Sequence, residues 1–337
     1  MVHIQWKDRY NIGYKEIDAQ HKGLLGILNE LIDLVGERRD PEQVAGIFHR
    51  LCDYVRIHFS TEERYMRSCG YPRLEEHEAL HATFVQKLLE LNAAYDPADR
   101  HLLDETLDFL KHWYLDHIIK ADLDYSPFLQ RYKTEAPVKA VIFDFGNVLC
   151  SFDNDRFLKG LSALCGLPEA VLKTRIYLQS TLTQDYEAGR IGSSEFLEGV
   201  SALCGKDLSE PDFIRAYTDI FTPIEATSDL IRKLKPRYRL GLLSNTSPWH
   251  FEHAIQTNEV FPLFDSVTLS YEVGASKPDP RLFEDALGKL GLMAEECVYI
   301  DDQRPFALAA AEHLLRGLTY TTPVTLMSQL RHLNVTF

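Results

Sequence analysis

Five histidines and two acids in the first third of the chain stand at spacings that a helical bundle can gather around metal. They are His21; His58 with Glu62; His77 with His81; and His117 with Asp122. Residues four apart lie nearly above one another on a helix, so HFSTE (58–62) and HEALH (77–81) each aim two donors into the same core. The five-residue step from His117 to Asp122 is about 1.4 turns, which keeps both reaching inward if the metal lies between them. Imidazole and carboxylate donors inside a four-helix bundle are the usual materials of a di-iron carboxylate centre. One such histidine alone reads as a packed or surface residue. The joint pattern reads as a site, because nine of the 13 histidines fall in residues 1–136 and five of those nine fit one constellation. His3, His49, His101 and His112 fit nothing in it and read as structural.

A second set follows in the rest of the chain. The apolar run VIFDFG carries Asp144; Ser244-Asn245-Thr246 follows GLL; then come Lys277-Pro278, and Asp301-Asp302 after VYI. A carboxylate nucleophile, a hydroxyl and an amide for phosphoryl oxygens, a lysine to neutralise charge and an acidic metal holder together make a phosphoryl-transfer site. Alone, an SNT or a KP reads as a turn. Four clusters in this order, two of them directly after buried-strand patterns, read as chemistry at the carboxyl edge of a parallel sheet.

The elements that must position these groups are legible in outline. Four amphipathic stretches, roughly 18–37, 41–67, 74–94 and 99–131, fill the first part. Asp40-Pro41-Glu42-Gln43 supplies an N-cap acid, a proline at the first helical position and a glutamine three residues after the cap. Leu24, Leu25, Leu28, Leu31, Ile32 and Val35 trace an inward stripe. Gly70-Tyr71-Pro72 and Tyr95-Asp96-Pro97 separate later helices, and connections this short imply an up-down antiparallel bundle. Near Thr134-Glu135-Ala136-Pro137 the helical period stops, and VKAVIFDFGNVL begins a strand apolar enough to be buried on both faces. Beyond it, a helical block at about 153–220 precedes RLGLLSNT, DSVTLS and CVYIDDQ, an alternation that predicts a parallel α/β sheet. The expected layout is therefore an all-α four-helix bundle over 1–134 and an α/β, Rossmann-like domain over 138–337.

Composition sets the partners. The 337 residues are 45% hydrophobic and 26% charged, enough for two buried cores. Net charge is −14, from 17 basic against 24 acidic residues in 1–136 (−7) and 19 against 26 in 137–337 (−7). With no clustered positive charge, nucleic acid and anionic membrane are not expected as partners. Cys52, Cys69, Cys150, Cys165, Cys204 and Cys297 form no CxxC pair and read as reduced thiols. No apolar run approaches the roughly 18 residues of a membrane span, and MVHIQWKDRY has no signal core, so a cytoplasmic location is expected.

The donor set, with Trp6 and the DAQH context of His21, resembles bacterial hemerythrin over about residues 3–132. That resemblance implies one iron held by His77, His81 and His117, the other by His21 and His58, and bridging by Glu62 and Asp122. It also implies one open position on the second iron, where O₂ binds reversibly and NO would compete. Residues 138–337 resemble the haloacid dehalogenase-like hydrolases, with core segments 138–150 and 229–337 and a helical cap at about 151–228. By that resemblance Asp144 forms an aspartyl-phosphate, and Ser244 and Asn245 hold the transferring phosphoryl. Lys277 pairs with both the phosphoryl and Asp144, while Mg²⁺ is met by Asp144, the Gly146 carbonyl, Asp301 and Asp302. Phosphatases of that superfamily usually carry a second aspartate two residues after the nucleophile, where this chain has Gly146. A proton-transfer group is worth about 10² to 10⁴ in rate, so its loss makes an enzyme slower or choosier. The FDxGNV variant resembles a subgroup that includes sugar-1-phosphate phosphatases, whose leaving oxygen is a better one. After Asp302, Gln303-Arg304-Pro305-Phe306 lacks the usual acid or asparagine. In the cap, Asp153, Asp155, Asp185, Tyr186 and Glu187 stand as alternative acids or as packing. The expected function is an Mg²⁺-dependent phosphatase of a small phosphorylated metabolite, gated by the di-iron state. The alternative is an O₂-binding, storage or sensor protein with a degenerate hydrolase domain.

Overall fold

A computed structural model describes residues 3–36, 41–94, 100–313 and 315–337. The Asp40 cap and the Tyr95-Asp96-Pro97 break lie outside the described residues, as do the side chains of Val35, Glu42 and His101. The chain forms two units, 1–135 and 136–337.

In the first unit, α1 (Lys15–Gly36), α2 (Pro41–Ser68), α3 (Leu74–Ala94) and α4 (Arg100–Asp116) bury their leucine-rich stripes against one another. Leu24, Leu28, Leu31, Phe48, Leu51, Val55, Phe84, Leu88, Leu107 and Leu110 form one apolar core. The fourth stretch is not the single α-helix expected. A π-helical turn spans His117–Asp122, and α5 continues over Leu123–Glu135, four residues beyond the expected end. A π turn bonds residues five apart, so the His117–Asp122 step that overshoots an α turn completes one turn here and both side chains face inward.

In the second unit, five parallel strands run in the order β5-β4-β1-β6-β7: β1 (Ala140–Phe143), β4 (Arg239–Ser244), β5 (Ser266–Leu269), β6 (Cys297–Asp301) and β7 (Arg316–Thr319). β1 lies in the middle, in register with β4 through Phe143↔Leu242 and with β6 through Phe143↔Ile300. Helices α11 (Glu225–Leu234) and α16 (Pro323–His332) cover one face, and α14 (Pro280–Leu290) and α15 (Arg304–Glu312) the other. Because both faces are covered, β1 and β6 read as unbroken apolar runs.

The cap leaves and returns through an antiparallel pair, β2 (Cys150–Phe152) and β3 (Phe221–Pro223), with Cys150 opposite Pro223. Between them lie α6 (Asn154–Cys165), α7 (Glu169–Lys173), α8 (Leu182–Glu187), α9 (Ser193–Cys204) and α10 (Glu210–Thr218), packed on Phe157, Tyr186, Phe196, Phe213 and Tyr217. Leu230, Ile231 and Leu234 of α11 pack with Val141 and Leu240 of the sheet. Two short helices, α12 (Pro248–His250) and α13 (Ser270–Val273), follow β4 and β5. None of the described helices is long and apolar enough to cross a membrane, and all six cysteines are free.

Candidate metal centre and hydrolase site

The seven donors of the bundle meet in its interior, every one buried. Their atoms form two groups: Glu62 with His77, His81 and His117, and His21 with His58 and Glu62. Glu62 belongs to both. Asp122 joins them as well, with Oδ2 3.1 Å from His21 Nε2 and Oδ1 3.4 Å from His77 Nε2 and 3.2 Å from His117 Nε2. One carboxylate oxygen therefore faces each group.

The centre is incomplete as a purely protein structure. His21 Nδ1 and Nε2, Glu62 Oε2, His77 Nε2 and both Asp122 oxygens are buried with no hydrogen-bond partner. Orphaned buried polar atoms are costly, and here His21 Nε2, His77 Nε2, the Glu62 carboxylate and the Asp122 carboxylate face one another across 3.1 to 4.0 Å. His81 Nε2 and His117 Nε2 stand 3.1 Å apart, a distance two imidazole lone pairs tolerate only with a proton or a metal between them. Burial holds His58 and His77 down to about 4 and pushes His117 down as well, which keeps these rings neutral, the form that ligates metal. His21 goes the other way, to about 9: burial opposes its charge, but Asp122 and Glu62 outweigh it. A cation placed among these groups meets both the orphaned atoms and the two carboxylates, so the residues fit a pair of metal ions.

Supporting contacts orient the donors. His58 Nδ1 lies 3.0 Å from Gln20 Oε1, His81 Nδ1 2.9 Å from Glu63 Oε1, and the Tyr125 hydroxyl donates to Glu62 Oε1 at 2.5 Å. Phe59 stacks on His81 at 3.7 Å and Trp113 on His117 at 4.2 Å, walling the centre with apolar rings. Of these supports only Gln20 was quoted from sequence, as part of DAQH, and without a role. Tyr125 carries the one usable signal, standing one α turn after Asp122 on the same helix face. Of the histidines read as structural, His3 meets Asp33 and His112 meets the Asp108 carbonyl.

In the second unit the functional groups gather at the carboxyl edge of the sheet. Asp144 follows β1, Ser244 ends β4 and Asp301 ends β6. Lys277, in the loop after α13, places Nζ 2.9 Å from Asp144 Oδ1 and 2.7 Å from Asp301 Oδ2. Its backbone N–H donates to Asn245 Oδ1 at 2.8 Å, which leaves the Asn245 NH₂ free to donate elsewhere. Asp144, Asp301 and Asp302 are near enough to share one cation. Burial raises the Asp144 carboxyl, to about 7, against the pull of the Lys277 ammonium, and Asp301 adds to the rise. Three carboxylates around one ammonium leave excess negative charge, so a divalent cation fits.

Three residues outside the expected set hold this arrangement. Tyr299 donates its hydroxyl to Asp301 Oδ2. Asn147, at φ 53°, donates to Asp302 Oδ2 at 3.0 Å. Gln303, noted from sequence only as a departure, gives its N–H to Asp301 Oδ1 at 2.8 Å and its amide to Asp302 Oδ2 at 3.1 Å. At Gly146 a Cβ would stand 3.1 Å from the exposed Phe152 ring, a tight contact that the ring could relieve by moving a few tenths of an ångström.

A cation-binding helical bundle joined to an α/β hydrolase is thus the class that fold and sites define. Residues 12–129 match the sequence profile of the hemerythrin HHE cation binding domain, and residues 138–313 that of the haloacid dehalogenase-like hydrolases. The chain belongs to both families, one in each unit. It is 32% identical over 124 residues to a bacteriohemerythrin of Clostridium acetobutylicum, covering 36% of this chain and 96% of that protein. It is 30% identical over 172 residues to the D-ribitol-5-phosphate phosphatase of Bacteroides thetaiotaomicron, covering 49% and 83%. A solved haloacid dehalogenase family enzyme of that organism superposes with a TM-score of 0.50 at 26% identity, over 55% of this chain and 94% of its own.

Proposed function

We propose that the chain is an Mg²⁺-dependent phosphatase of a small phosphate monoester, of the polyol or sugar phosphate class, whose output follows the O₂ or redox state of a di-iron bundle. The observation that carries the hydrolase reading is the Asp144 carboxylate held 2.9 Å from the Lys277 ammonium, beside Asp301 and Asp302, at the edge where β1, β4 and β6 end. An Asp144 oxygen attacks phosphorus, the ester P–O bond breaks, and the organic alcohol leaves. Water then attacks the aspartyl-phosphate at phosphorus, releasing phosphate and restoring the carboxylate. The Ser244 hydroxyl and the free Asn245 NH₂ hold phosphoryl oxygens, and Lys277 offsets their charge. Asp144, Asp301, Asp302 and the Gly146 carbonyl would hold Mg²⁺, which would supply further charge neutralisation. The named activity of the Bacteroides relative supports the substrate class.

In the bundle, His77, His81 and His117 would hold one iron and His21 and His58 the other, with Glu62 and Asp122 contributing to both. The iron pair would supply reversible O₂ binding, and NO would address the same place. Coupling to hydrolysis is supported by chain continuity: the helix that begins after Asp122 ends at Glu135, and β1 begins at Ala140. A second reading, O₂ binding with a phosphoryl-binding but inactive hydrolase unit, is favoured by Gly146 standing where a second acid, two residues after Asp144, would be expected.

One experiment separates them: phosphate release from an aryl phosphate and a pentitol phosphate, with Mg²⁺, by iron-loaded protein, first anaerobic and reduced, then oxidised. Turnover absent in Asp144→Asn and different between the two states is expected. Equal rates in both states would remove the coupling, and phosphate binding without turnover in either would establish the second reading.

A further inference from the structure

The loop that carries Asp144 turns back on itself within a few residues. The Cys150 N–H donates to the Phe145 carbonyl at 3.1 Å and the Asn147 N–H to the Cys150 carbonyl at 2.7 Å, so β2 leaves the turn beside the residues that entered it. Gly146 pairs with Cys150 in a single bridge. Residues on either side of Gly146 belong to the site: Asp144 stands in the three-carboxylate group, and Asn147 holds Asp302. Gly146 itself offers no side chain. The ring lying against it is that of Phe152, the last residue of β2, two of whose carbons would be 3.1 and 3.4 Å from a Cβ at position 146.

Phe152 is 42% exposed, and among the described residues it is the only exposed phenylalanine of the hydrolase unit. Its partner across the β2–β3 ribbon, Phe221, meets it with ring centroids 6.3 Å apart and meets the buried Phe145 at 5.4 Å. An exposed apolar side chain on its own needs no explanation. This one is anchored by Phe221, touches a glycine flanked by residues of the site, and keeps much of its surface open. Ligand sites combine apolar rings of this kind with a few charged groups that fix orientation. Here the charged groups, Asp144, Lys277, Asp301 and Asp302, all address the phosphoryl end.

We propose that Phe152 is a specificity-determining residue, its ring packing on the carbon skeleton of the alcohol beside the ester oxygen; this rests on the phosphatase reading. The ring has no hydrogen-bonding group to offer, so it favours an alcohol that turns C–H groups toward it, as a pentitol or a sugar does with its hydroxyls directed elsewhere. A carboxylate on the carbon beside the ester oxygen would lose hydration against the ring and gain no partner there. The esters selected are therefore those of neutral polyols rather than of hydroxy acids.

The test compares wild type, Phe152→Ala and Phe152→Tyr, with Mg²⁺, on a pentitol phosphate and on phosphoglycolate, whose carboxylate is on that carbon. Phe152→Ala is expected to lower kcat/KM for the pentitol ester about tenfold and to leave phosphoglycolate within about threefold, while Phe152→Tyr, which keeps the ring, retains the wild-type ratio. Equal losses on both esters would overturn the proposal in favour of a structural role, and so would an unchanged pentitol ester. A wild type that cleaves neither refutes the phosphatase reading itself. The Phe152 role is then decided by calorimetric titration with the pentitol phosphate and with inorganic phosphate: a loss in Phe152→Ala confined to the pentitol ester upholds it, and equal affinities in the two proteins refute it.

Discussion

Tyr299 stands two residues before Asp301 on β6, on the same face of the strand, and its hydroxyl fixes the oxygen that Lys277 also takes. With Gln303 on the other oxygen, Asp301 is oriented before any cation arrives. Partners of this kind carry about 10- to 100-fold in metal affinity. Tyr299→Phe should therefore weaken Mg²⁺ binding by about tenfold in a calorimetric titration of the full-length protein, and unchanged affinity would remove the role. The metal-facing donors were legible in the sequence because His and carboxylate pairs at helical spacing are rare by chance. Their supports were not. Tyr299 sits in CVYID, where an aromatic reads as core, Gln20 enters only as context in DAQH, and Tyr125 and Glu63 belong to no motif until the helices are assembled.

At the scale of elements, periodicity gave the bundle helices and the central strands, since each has one dominant burial pattern. It missed the π turn at His117–Asp122, because a five-residue step looks the same in sequence whether the helix is α or π. It missed β7 as well: RGLT is half-buried throughout and contains a glycine, so neither an alternating nor an all-apolar pattern appears. That glycine has a packing reason. A Cβ at Gly317 would lie 1.9 Å from the Ala307 carbonyl oxygen of α15, and a backbone atom inside a helix cannot step aside. Gly317→Ala should cost about 3 kcal/mol, read as a lower denaturant midpoint for the hydrolase unit. A midpoint within error of wild type would show that β7 and α15 separate easily.

For the molecule as a whole, each unit has its own apolar core, and each half carries its own share of the acidic surplus. The two-part layout was readable because the helical period gives way to a doubly buried strand within a few residues of Glu135. The bundle's core also contains buried donor atoms without hydrogen-bond partners that a metal pair would satisfy, whereas the carboxylates of the hydrolase edge are already held by Lys277, Tyr299, Asn147 and Gln303. Scanning calorimetry should therefore show two transitions, of which a strong iron chelator under reducing conditions lowers one by roughly 10 °C or more and leaves the other in place. A single transition that moves as one body would contradict independent cores.

The β2–β3 ribbon has a further consequence. Because the chain departs from the sheet domain and comes back to it on adjacent, mutually bonded strands, everything between Asp153 and Ile220 is attached at a single stem. Such an insertion is exchangeable at its ends: a helical module of another length, grafted onto the same ribbon, would keep the order of the parallel strands while replacing whatever the cap adds to the choice of alcohol, and would have to cover Trp249 and His250, which pack against the cap. Diversification of substrate and preservation of chemistry are thus separated at two short strands.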